Sequence, residues 1–71
     1  MTNAARAELV RPLVMQFRDD CGMKGEDEET VVSDLLADLL HYARHNNCDP
    51  AAVIRRGLGH YTEEHNHPED L

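Results

Sequence analysis

Val31, Val32, Leu35, Leu36, Leu39, Leu40, Tyr42 and Ala43 constrain this chain more than any other feature of it. Read at the helical period they form one continuous apolar face, too broad for a single neighbouring helix to cover. Asp27 stands where an N-cap belongs. Glu28 and Glu29 put negative charge on the first turn, against the positive end of the helix dipole. Asn46-Asn47 provides a stop, because asparagine tolerates the left-handed conformation that follows many helices. The segment therefore predicts a central helix over about residues 28–46, packed by whatever else the chain can supply.

It can supply two further helices. The first is predicted from about Ala4 to Asp20, with Thr2 or Asn3 as N-cap and Cys21-Gly22 as its stop. Ala5, Leu9, Leu13 and Phe17 recur every four residues, with Val10 and Val14 beside them, so this row is expected to face the core. Pro12 removes a backbone donor and clashes with the preceding turn, so the helix is either kinked there or starts there. The row continues in phase across the proline, which favours a kink. Asp49-Pro50 opens the third helix, with Asp as N-cap and Pro at the first helical position. Val53, Ile54, Gly57, Leu58 and Tyr61 form its apolar stripe. Gly57 is expected to admit a close neighbour, and Gly59 to weaken the helix by about 1 kcal/mol relative to Ala.

The expected fold is all-α: a small, antiparallel three-helix arrangement in a single domain over residues 1–64, with 65–71 as a flexible tail. A chain of 71 residues is short for such a fold. Below about 70–80 residues one core rarely supplies more than about 3–5 kcal/mol without a metal, a disulfide or a partner. Phe17, Tyr42 and Tyr61 are its only aromatic residues, so bulk is scarce and a homo-oligomer is a fair expectation.

Fourteen acidic residues face seven Lys and Arg, and the net charge of −7 opposes direct binding to nucleic acid. Cys21 and Cys48 are too few for a disulfide framework and lack metal-motif spacing, so buried reduced thiols are expected. No run of about 18 apolar residues is present to span a membrane, and no signal peptide opens the chain, so a cytoplasmic location is expected.

Catalytic patterns are missing. Ser33 is the only serine and has no evident base. No glycine-rich loop follows a strand. All-helical nucleotide pyrophosphohydrolases hold magnesium with Glu-Glu-x-x-Glu-x-x-Asp, but Val32 stands where Glu28-Glu29 would need the third glutamate. An enzyme is not expected, nor is a cofactor. Asp34, Asp38, His41 and His45 share one helix face and are ligand types for zinc or another divalent ion, but no further ligand can be assigned to them. The bland account is a solvated polar face. His60, His65 and His67 fit neither one face nor a finger motif. Arg55 and Arg56 are expected to pair at the surface, with Glu63 as the available partner.

The run Ser33-Asp34-Leu35-Leu36-Ala37-Asp38-Leu39-Leu40-His41, followed by Asp49 and by His60-Tyr61-x-x-Glu64, resembles a family of short bacterial, plasmid and phage proteins. The likeness covers roughly residues 30–64, and it implies a shape without a reaction. Its motif positions, Asp34, Asp38, His41, His60, Tyr61 and Glu64, are where that resemblance places partner contacts. Together these features predict a small, acidic, non-enzymatic protein acting through protein–protein contacts, as an adaptor or regulator. Two alternatives stand beside it. One is an acidic inhibitor from a mobile element that mimics nucleic acid with Asp19, Asp20, residues 26–29, Asp34 and Asp38. The other is a metal-binding protein using the Asp34, Asp38, His41 and His45 face.

Overall fold

The computed structural model describes residues 1–66, which form three helices: α1 (Asn3–Asp20), α2 (Glu28–His45) and α3 (Pro50–Asn66). The expected all-α, three-helix architecture is what the chain adopts, and the helix boundaries lie close to the capping signals. Thr2 caps α1 by accepting from the Ala5 N–H at 3.1 Å, and Asp27 caps α2 by accepting from the Thr30 N–H at 3.0 Å. Asp49 accepts from the Ala51 N–H at 3.1 Å where α3 begins. Each of these bonds satisfies a donor that the first helical turn would otherwise leave free.

Both inter-helix turns are Schellman motifs. At the end of α1 the Met23 N–H donates to the Arg18 carbonyl at 2.8 Å and the Gly22 N–H to the Asp19 carbonyl at 3.2 Å. At the end of α2 the Cys48 N–H reaches the Ala43 carbonyl at 2.8 Å and the Asn47 N–H the Arg44 carbonyl at 3.2 Å. The residue after each C-cap must take a left-handed backbone. Gly22 does so at φ 66° and Asn47 at φ 62°.

Helix α1 passes through Pro12 and begins at Asn3, so the proline does not start it. Its neighbour-facing side differs from the expected one. Asn3, Arg6, Val14, Phe17 and Arg18 are half-buried, while Leu9 is 73 % exposed and Leu13 is also open. A row of residues four apart advances about 40° per step around a helix. From Ala5 to Phe17 it therefore winds off the contact line, and only its last member packs. In α3 the stripe of Val53, Ile54, Leu58 and Tyr61 is exposed throughout, and a methyl group built on Gly57 meets nothing within 4 Å. The expected close neighbour at Gly57 is not supplied by the other described residues.

Among the described residues only Val31 and Ala43 are buried. Val31 lies in the first half of α2, and Ala43 in its last turn, where the Cys48 N–H returns to the Ala43 carbonyl. Leu35 and Leu40 are half-buried, but Val32, Leu36, Leu39 and Tyr42 remain open. Helix α3 continues through His65 and Asn66, beyond Glu64 where the domain was expected to end. Residues 67–71, including His67, lie outside the described residues. Cys21 and Cys48 are both exposed free thiols, contrary to the expectation that they are buried. No helix among the described residues is long and apolar enough to cross a membrane.

Candidate interaction surfaces

The six motif positions do not form one site. Asp34 and Asp38 line a 390 Å³ hollow between α1 and α2, together with Phe17, Cys21, Met23 and Ala37. The apolar partners Phe17 and Met23 bracket the α1 turn there, an arrangement that often accompanies a Schellman motif. His41 is exposed further along α2, one turn before the equally exposed His45.

Tyr61 and Glu64 belong to a separate hollow of 360 Å³, where the last turns of α3 meet the first turns of α1. Glu64 ties these helices together. Its carboxylate lies 3.4 Å from the Arg6 guanidinium, and its backbone carbonyl accepts from the Asn3 side-chain amide at 3.0 Å. Tyr61 stacks on His65 one turn later, with ring centroids 5.7 Å apart and planes 14° from parallel. His60 is exposed and lines neither hollow. Arg6 and Asn3 were invisible as partners of Glu64 in the sequence, because nothing in local spacing joins the two ends of the chain.

The remaining ion pairs hold the scaffold. Arg18 pairs with Glu28 across the α1–α2 turn, and its stem is largely covered. Arg11 forms a two-pronged contact with Glu8 at 2.9 and 3.0 Å. The hydrogen bonds from Arg11, together with its charge, lower the Glu8 carboxyl below the usual carboxylate range. Asp27 is likewise lowered, first by hydrogen bonding to the Thr30 side chain and then by the Thr30 N–H. The expected pairing of Arg55 or Arg56 with Glu63 is not among the ion pairs of the described residues; Glu64, one position on, pairs with Arg6. Residues 55 and 63 are two helical turns apart, about 12 Å along the axis, too far for their side chains to meet readily.

Asp34, Asp38, His41 and His45 share a side of α2, yet no group of three or more His, Cys, Asp or Glu side chains able to hold a metal ion occurs among the described residues. A row along one helix offers such an ion too few converging donors.

A third hollow, larger than these two, is apolar. A groove of 630 Å³ runs between α1 and α2, walled by Ala7, Val10, Val14, Met15, Val32 and Leu35, with Arg11 and Glu28 at its edge. Leu36 and Leu39 continue the Val32 side of α2, four and seven residues on. This groove was not read from the sequence as a site. Its signal was the excess width of the α2 apolar face. No protein-family model, curated protein or solved structure matches the chain.

Proposed function

We propose that this protein is a non-enzymatic helical module that works by presenting apolar helix faces to another protein chain, as an adaptor or regulator. The observation that carries this reading is the uncovered apolar surface: Leu9, Leu13, Met15, Val32, Leu36, Leu39, Ile54 and Leu58 are all exposed, while among the described residues only Val31 and Ala43 are buried. Exposed apolar residues adjoin one another in the α1–α2 groove, walled by Val10, Val14, Met15, Val32 and Leu35, and adjoining apolar surface marks contact sites in soluble proteins. No constellation in the described residues joins a nucleophile to a base or gathers ligands for a metal, so the apolar faces are the chain's most developed feature.

The nucleic-acid-mimic alternative has less behind it. Several of the carboxylates it needs are engaged within the chain: Glu28 by Arg18 and Asp27 by the Thr30 N–H. A decoy surface would present them to a basic partner instead.

Photo-crosslinking in the cells of origin tests the reading. A photoreactive residue placed at Leu36 or Leu58 gives covalent protein adducts, and one at His45 on the polar side of α2 gives few or none. Absence of adducts from both apolar positions, in a chain that is folded and expressed, overturns it.

A further inference from the structure

We infer that the groove between α1 and α2, extended by Leu36 and Leu39, is covered by a second copy of this chain, forming a two-fold symmetric dimer. This rests on the protein-contact reading above and names the partner.

Area is the first argument. The chain exposes 5904 Å² for a mass of 8.1 kDa. A compact monomer of that mass exposes about 4,500 Å². Its radius of gyration is 13.7 Å, where a compact domain of this length has about 11 Å. The chain is thus too open for its size. Two separate copies expose roughly 11,800 Å², and a compact protein of twice the mass about 7,500 Å². Closing that gap requires burying roughly 4,300 Å², within the 2,000–5,000 Å² of obligate homodimers and far above transient contacts. A short peptide in the groove would leave most of the excess exposed.

Charge is the second. The net charge of −7 should keep two copies apart, but the groove does not carry it. Its walls are apolar, and its edge holds one cation, Arg11, and one anion, Glu28. Asp34 and Asp38 line the other hollow, on the far side of α2 from Val32. A two-fold interface brings residue i to j and j to i. Within each chain Arg11 is paired with Glu8 and Glu28 with Arg18, so the edge sets no unpaired charge against its own rotated copy. An acidic face would instead have pointed to a basic partner.

Sedimentation equilibrium of the full chain gives twice the 8.1 kDa chain mass. The dimer tightens as salt rises, because screening weakens repulsion between two acidic chains, whereas a contact with a basic protein would loosen. For the unaltered chain, a tenfold rise in concentration raises Tm by about 4–5 °C, since only the dimer is linked to concentration. Met15→Glu, at an exposed groove position that the single chain does not need for folding, abolishes the dimer; His45→Glu leaves it intact. A folded 8.1 kDa species with concentration-independent Tm overturns the inference, as does any other stoichiometry or a dimer unaffected by Met15→Glu. A monomer that still crosslinks to a different protein through Leu36 removes the second copy while leaving the protein-contact reading standing. Absence of all adducts removes both.

Discussion

At the scale of single residues, backbone conformation at two positions shapes the chain. Gly22 and Asn47 both occupy the left-handed region, and both lie where the sequence shows a helix stop. Glycine reaches that conformation without steric cost, while asparagine tolerates it less well and a Cβ-bearing residue without a local polar group costs about 1–2 kcal/mol. Asn47→Gly should therefore raise stability by a few tenths to about 1 kcal/mol, and Asn47→Ala should lower it by about 1 kcal/mol, measured by urea unfolding. Asp27 makes a second prediction. Its carboxyl titrates below its ordinary 3.8 because the ionised form accepts from Thr30. A lowered folded pKa means that its stabilisation is complete above the unfolded value and is lost as pH falls through the folded one. Asp27→Asn keeps an N-cap without the titration, so it should flatten the loss of helicity below about pH 4, with Glu8 responsible for part of what remains. Caps of this kind were legible because they act over three or four residues. The Arg6–Glu64 pair was not, because it depends on how three helices close.

At the scale of elements, α2 was the most readable and α1 the least. Asp27, Glu28, Glu29 and Asn47 fix the ends of α2, and its leucines fix its character. In α1 the apolar residues are distributed around more than one side, and the four-residue row winds away from the line where α2 touches. Local periodicity gives the existence of a helix; contact lines need the neighbour's position as well. Helix α3 repeats the lesson more sharply, since every large apolar residue of its stripe from Val53 to Tyr61 stays exposed. Gly59 lies off that stripe, with open space around it. Gly59→Ala should raise stability by about 1 kcal/mol without altering association, read from thermal unfolding alongside sedimentation. Loss of association in that variant would place Gly59 in a contact that the described surfaces do not include.

At the scale of the whole molecule, the width of the α2 apolar arc signalled that two flanking helices would not enclose it, and Val32, Leu36, Leu39 and Tyr42 are indeed left open. Which of the motif positions would meet was not legible. Asp34 and Asp38 lie in one hollow and Tyr61 and Glu64 in another, so the two halves of the motif mark two places on the surface. The Asp and His row along α2 meets the same limit: shared spacing along one helix does not bring a converging ligand from elsewhere, and no group of three or more side chains able to hold a metal ion occurs among the described residues. What joins these facts is a chain that folds its backbone correctly and leaves much of its apolar surface uncovered. Hydroxyl-radical footprinting of Met15, Leu36 and Leu39 across a dilution series reads that surface directly. The account predicts strong protection at high chain concentration, lost in step with dissociation on dilution. Protection that persists in a dilute, folded single chain would mean that its own helices cover the face, and would contradict it.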